Sequence, residues 1–321
     1  MESIADVISY IKYGRVALLE SIEALSQREM TQIPVYDTWT IKDILAHIIG
    51  WDQRVIKILP LIVQDMAGQV PGVDVESHNR QSVAAWKDRS LAEVMAALEV
   101  AHLQIIDILS GIDFTEIDRR HDRNDRVITI RSYVIEVMVE HERHHAAEIE
   151  LWRKALELAI DPAAVRRTLE QSRANFMDLL SRLNQADGMD KTAIGTWSLS
   201  DLAGHVADWE QRIVDAAYHI YDPARPQVPP LSNSSEEADW NEIMAAKRAG
   251  KSWQENYEDL QHAQQAMDHL LNALKPGDWK LRGPYPWPDD QGTLAELIVQ
   301  AAEHYEDHLP DLKNLVAKKG S

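Results

Sequence analysis

Apolar residues recur at three-to-four spacing over residues 3–25, 41–64, 91–110 and 130–159, and again over 162–183, 199–221, 253–274 and 294–317. That period predicts eight amphipathic helices. No stretch alternates apolar and polar residues as a half-buried strand does, so no strand is predicted. Helix starts are marked by Thr40-x-x-Asp43 and Ser198-x-x-Asp201, and by Ser90-x-x-Glu93, Ser252-x-x-Glu255 and Thr293-x-x-Glu296. In each, a hydroxyl and a carboxylate three residues later can satisfy each other's backbone N–H groups. Two connections are long: 66–90, and 222–252 with Pro223, Pro226, Pro229 and Pro230. A short extra helix is expected in each, near Asn79–Trp86 and Trp240–Lys247. Such connections suit four-helix bundles with a crossover between helices 2 and 3, not a simple meander. The predicted fold is all-α, two tandem four-helix bundles.

The helices fall into two copies of one unit. Residues 39–54 read WTIKDILAHIIGWDQR and residues 197–212 read WSLSDLAGHVADWEQR. Trp, Asp, His, Trp, Gln and Arg coincide at an offset of 158. The same offset joins Arg15 to Arg173, Leu25 to Leu183, and Gln69-Val70-Pro71 to Gln227-Val228-Pro229. It grows to 162 for Asn79 with Asn241 and Ser90 with Ser252, and to 163 for His141 and His145 with His304 and His308. Asp161-Pro162 is a helix start, an N-cap followed by a first-turn proline. The domains are therefore expected at 1–160 and 161–321, joined almost without a linker.

Charge and composition narrow the partners. Lys plus Arg number 33 against 52 Asp plus Glu, a formal charge of −19. The halves carry −9 and −10, so neither is a basic arm. The excess opposes binding to nucleic acid and to anionic membrane surfaces. The most apolar stretch, Val55 to Val63, contains Lys57 and Pro60 and is too short to span a bilayer. MESIADVISY lacks the form of a signal peptide, so a cytoplasmic location is expected. Cysteine is absent. That excludes disulfides, thiolate nucleophiles and Cys-ligated zinc.

Thirteen histidines carry the candidate chemistry. His141 and His145, at i and i+4, share one helix face, as two ligands of one ion must. His47, in the second helix, supplies a third imidazole. His205, His304 and His308 repeat the set. Neutral imidazole suits Zn, Ni, Fe or Cu(II), and three histidines leave a coordination position for water or substrate. Pro310, two residues after His308, is expected to kink the helix and distort the second site. His144 should point away to solvent. His78, His102, His121, His219, His262 and His269 are expected in loops or on polar faces, solvated or locally hydrogen-bonded.

Residues 141–145 also read H-E-R-H-H, a literal zinc-peptidase motif with Glu142 as general base. The second copy has Tyr305 there, and no strand is available to hold an extended peptide. Glu142 stays a weak candidate for acid–base work. Asp43 and Asp201 could orient an imidazole, but capping explains them more plainly. The Trp39/Trp197 and Trp51/Trp209 pairs are expected as packing. Arg54 and Arg212 are weak candidates for a substrate carboxylate, or for pairing with an acid on a neighbouring helix.

W-[TS]-[IL]-x-D-[IL]-x-x-H with H-x-x-x-H makes the chain resemble the DinB/YfiT-like superfamily over nearly its whole length, as two copies. The resemblance implies an up-down-down-up bundle with a three-histidine divalent site, often Zn or Ni. It implies thiol-dependent chemistry as in bacillithiol S-transferases and mycothiol-dependent maleylpyruvate isomerase, so a low-molecular-weight thiol becomes a candidate cosubstrate. It also implies dimers, which a tandem chain would reproduce internally as a monomer, with a homodimer as the alternative. Three readings follow: a metal-dependent transferase or hydrolase acting on a small-molecule electrophile; a small-molecule binding protein whose mouths are the 223–230 loop and the GPYPWP segment 283–288; or a structural tandem bundle.

Overall fold

A computed structural model describes residues 3–123, 126–183, 197–231, 234–287 and 290–319. Pro288 of the GPYPWP segment lies outside them. The chain divides into two units, Met1–Leu156 and Glu157–Ser321. The first holds α1 (Ile4–Ile22), the short α2 (Gln27–Thr31), α3 (Ile41–Val63), α4 (Val75–Trp86), α5 (Leu91–Ser110), α6 (Ile130–Val134) and α7 (His141–Ala159). A π-helical turn, Ile135–Glu140, joins α6 to α7 into one long rod. The second holds α8 (Pro162–Ser181), α9 (Leu199–Tyr221), α10 (Ser234–Arg248), α11 (Trp253–Ala273), α12 (Leu294–Asp307) and α13 (Leu309–Lys319). The architecture is all-α, two bundles.

Four of the five expected capping motifs close as reciprocal pairs; at Thr293 the hydroxyl accepts from the Glu296 N–H while the Glu296 carboxylate meets the Tyr285 hydroxyl at 3.4 Å. Ser3, Ser26, Thr40, Ser90, Ser198 and Ser252 each accept from the N3 backbone N–H while the N3 carboxylate accepts from the cap. Losing one such cap costs about 1 kcal/mol. Asp43 is thereby committed to Thr40, taking its N–H at 2.9 Å and its hydroxyl at 2.8 Å. Asp201 does the same for Ser198.

Helix direction follows from the core. One apolar cluster of the first unit gathers Val7 and Ile11 of α1, Val55 to Ile62 of α3, Ile105 and Leu109 of α5, and Ile130 to Val139 before α7. The other gathers Leu18 and Ile22, Ile41 to Ile49, Val94 and Leu98, and Ile149. The start of α1 thus shares an end with the finish of α3 and α5 and the start of the last rod, which is up-down-down-up. In the second unit Arg166 near the start of α8 donates to the Leu271 carbonyl near the end of α11. Asn256 at the start of α11 donates to Ser200 at the start of α9, 2.9 Å. The helices α9 and α11 thus run alike and opposite to α8, as α3 and α5 do to α1.

Two features depart from the helical pattern. Strands β1 (His121–Arg123) and β2 (Arg126–Ile128) pair antiparallel, with His121 opposite Ile128. Strands β3 (Arg282–Pro284) and β4 (Gln291–Thr293) do the same, with Arg282 opposite Thr293. Three residues are too few to show a period of two. Each hairpin leads into the last long helix of its unit.

From cap to first histidine those last helices differ by one residue. Twelve positions separate the Thr129 cap from His141, but eleven separate the Thr293 cap from His304. The π turn at 135–140 takes up the extra residue. There α1 comes close: a Cβ on Gly14 would lie 3.0 Å from the Val139 Cα.

The bundle centres are ionic. Arg15, 5% exposed, donates to Asp52 Oδ2 at 2.9 Å, Glu142 Oε1 at 2.7 Å and the Leu98 carbonyl at 2.8 Å. Arg173 holds the matching place, bonded to Glu210 and, at 2.7 Å, to Asp268. The Tyr305 hydroxyl stands where Glu142 does and donates to Glu210. Burial pushes the Asp52 carboxyl up to about 7, with Arg15 opposing the rise and Glu142 adding to it. Glu142 and Glu210 are raised for the same first reason, burial.

Candidate metal centres

Each triad assembles from two rods. The Thr40 cap fixes the start of α3, and seven residues on, two turns in, His47 faces the bundle interior at 4% exposure. The π turn delivers His141 and His145 opposite it, one turn apart on α7. His47 Nε2 lies 2.8 Å from His141 Nε2, which lies 3.1 Å from His145 Nε2. In the second unit His205 Nε2 lies 3.3 Å from His304 Nε2, which lies 3.3 Å from His308 Nε2. In both, all ligand atoms fall within 4.8 Å of one another.

Three imidazole nitrogens turned on one point have few hydrogens to share, because each neutral ring has only one N–H. A cation at that point resolves the conflict. Nitrogens about 2.0–2.1 Å from a tetrahedral ion stand roughly 3.3–3.4 Å apart. In the second triad the two separations to His304 are close to that value, and in the first the two to His141 are a few tenths of an ångström short of it. The residues therefore fit a divalent ion with an open fourth position.

The kink expected at Pro310 is present: α12 ends at Asp307 and α13 begins at Leu309. His308 sits in the break with helical φ and ψ of −93° and −8°. The distortion expected of the site does not follow, because His308 precedes the proline and stays one turn from His304.

Burial sets the protonation of the rings. It lowers His47 to about 3, with the facing imidazoles adding to the effect. It lowers His141 to about 4 and His205 to about 3. His145, His304 and His308 are lowered for the same first reason. Neutral rings with free lone pairs are the form that ligates.

Glu148, which the sequence reading passed over, accepts from His145 Nδ1 at 2.8 Å. That bond places the ring hydrogen on Nδ1 and leaves Nε2 bare. The signal was an acid three residues after the second histidine, and Asp311 occupies the same step after His308. Asp311 acts on His308 through its charge, resisting the fall that burial imposes.

The tryptophans form the walls. Trp39 and Trp51 ring centroids lie 5.3 and 6.4 Å from that of His47. Trp197 lies 4.8 Å from His205, and Trp209 lies 6.2 Å from His304. Trp51 Nε1 donates to Asn79 at 3.0 Å and Trp209 Nε1 to Asn241 at 2.8 Å. The crossover helices α4 and α10 thus hold equivalent indoles through the asparagines that the offset of 162 had paired.

Other sequence candidates fall elsewhere. Glu142 is 1% exposed and gives one carboxylate oxygen to Arg15. Arg54 donates to the Pro71 carbonyl at 2.7 Å, and Arg212 to the carbonyls of Pro229 at 2.6 Å and Pro286 at 3.2 Å. Both arginines pin the crossover loop, and neither makes an ion pair among the described residues. His144 is exposed and reaches Glu148 at 3.3 Å. His262 and His269 are exposed as expected, and His219 meets the Arg225 carbonyl at 2.8 Å. His102 and His121 are not on polar faces: they are 7% and 2% exposed. His121 meets Asp65 at 3.1 Å. His102 is lowered to about 4 by burial and by the charges of Arg15 and Lys12.

A family model described as the DinB superfamily matches residues 10–149 and again 168–311. The chain belongs to that superfamily. No curated protein and no solved structure matches it significantly. No helix among the described residues is long and apolar enough to cross a membrane.

Proposed function

We propose that the chain is a divalent-metal enzyme of two domains, 1–160 and 161–321, acting on a small-molecule electrophile in the cytoplasm. His47, His141 and His145 hold one ion and His205, His304 and His308 a second, zinc or nickel. The supporting observation is the convergence of three Nε2 atoms in each unit. When bound, such an ion lowers the pKa of a thiol or water in its open position and so supplies a nucleophile at neutral pH. With no cysteine in the chain, a thiol must come from a low-molecular-weight cosubstrate. The protein's own part is structural. Glu148 fixes the His145 tautomer, the indoles pack against the triad imidazoles, and burial keeps those imidazoles neutral.

Elemental analysis of protein loaded with zinc or nickel should find two ions per chain, one in His47→Ala or His205→Ala, and none in the paired variant. Wild-type chain that retains neither metal would overturn the metal assignment. The loaded enzyme should then turn over an electrophile panel with a small thiol, or hydrolyse activated esters. Silence across both series would overturn the catalytic assignment while leaving the metal centres in place.

A further inference from the structure

In the first unit, α3, the crossover loop and α4 enclose a cleft of about 510 Å³. That volume suits a small organic ligand. Arg54 and Lys57 line it, no carboxylate does, and Ile58, Leu61 and Trp86 supply an apolar wall. The two charged side chains of the lining are both cationic, against the −19 charge of the chain. Arg54 is held by the Pro71 carbonyl through Nη2, which fixes its guanidinium at the rim. Lys57 makes no ion pair among the described residues, and its side chain is exposed.

The matching place in the second unit has different chemistry. Asp215 stands at the position of Lys57, and Arg248 at that of Trp86. Arg248 lies over α9, with Nε 2.6 Å from Asp208 Oδ2 and Nη1 2.7 Å from Asp259 Oδ2. The charge of Arg248 is spent on two acids of its own unit, whereas Arg54 and Lys57 meet no carboxylate in the cleft lining.

We propose that this cleft of the first unit binds a small organic carboxylate, its charge on Arg54 and Lys57 and its apolar body against Ile58, Leu61 and Trp86. It is a second site, apart from the triad. His78 lines the cleft and packs edge-on against Trp51, 4.8 Å between centroids, and Trp51 lies 6.2 Å from His141. An indole therefore stands between the carboxylate and the imidazoles, and binding needs no metal.

The test uses the full chain stripped on a chelating resin, with 4-fluorobenzoate as the probe followed by fluorine NMR. Saturable broadening is expected, at least about tenfold weaker with the neutral 4-fluorobenzamide. Lys57→Glu, at an exposed position that leaves folding intact, should weaken fluorobenzoate binding by about tenfold or more. Ala85→Phe, which fills the cleft, should abolish it. No saturation up to about 10 mM, equal binding of the amide, or indifference to Lys57→Glu would each overturn the proposal.

Discussion

Arg15 bonds two buried carboxylates with one guanidinium, and replacing it with methionine tests what that costs. Arg15, Asp52 and Glu142 side chains are 6%, 1% and 1% exposed, so none can turn to water. The substitution removes two charge-assisted hydrogen bonds, of 2.9 and 2.7 Å, and the side-chain donor that reaches the Leu98 carbonyl. Breaking a buried ion pair by deleting one partner costs about 3–5 kcal/mol. In a domain of this size that lowers the melting temperature by roughly 10 °C. The loss also has a pH signature. With Arg15 gone, Asp52 and Glu142 hold their protons in the folded chain to higher pH than in the unfolded one. Stability of Arg15→Met should therefore fall as pH rises from about 4 through 7 and beyond, more steeply than in the parent.

Glu142→Gln is the counterpart. It removes one of two acids competing for Arg15 and keeps an oxygen that can accept its bond, so stability should change by less than about 1 kcal/mol. Metal content should stay at two ions per chain. Urea denaturation followed by circular dichroism, at pH 6 and pH 8, measures both variants. A loss below about 1 kcal/mol in Arg15→Met, or an equal loss in Glu142→Gln, would refute the account of the ionic centre.

Glu148→Ala frees the His145 tautomer, so metal affinity in the first unit should fall about 10–100-fold while the second is unchanged, as read by competition with a chromogenic chelator. Metal-free protein should lose stability as pH falls from about 6.5 toward 4, because imidazoles lowered by burial take up protons in the unfolded chain first; thermal melts across that range that do not move would contradict the burial assigned to the triads. Restoring metal to about a hundredfold above its dissociation constant should raise stability by about 2.7 kcal/mol, and a melting temperature indifferent to metal would count against both sites. Gly50→Ala drives a Cβ into Ser82 Oγ and should cost about 1–3 kcal/mol, with partial recovery when Ser82→Gly is added.

The fold was legible where the sequence carries local signals. Amphipathic periods gave the long helices, and hydroxyl–carboxylate pairs gave their starts. Length change within a helix left no such trace. The π turn before His141 shows only when the cap-to-histidine distances of the two copies are compared. The triads were legible because His141 and His145, four apart, share a face, and because His47 has its twin in His205. The roles of Arg15 and Arg173 were not, although their offset had been noted. A buried arginine reads like a surface one until its partners, more than thirty residues distant, are in place. Arg54 and Arg212 were read toward acids because charge is the obvious partner, whereas the loop carbonyls they bind carry no side-chain signal. His102 and His121 were misplaced because a polar residue on an amphipathic helix or beside a turn is assigned to solvent by default.

The wide turn at 135–140 also bears on what the first unit has been free to change. One residue added to an ordinary α-helix rotates everything beyond it by about 100°. Such a rotation would carry His141 and His145 off the face that meets His47 and scatter the triad. Here the added residue is swallowed within a single loosened turn, and both imidazoles keep their heading. The rod is thus divided into a front half, whose length can change, and a rear half whose orientation is kept. A lineage could lengthen this helix without surrendering the three-histidine face.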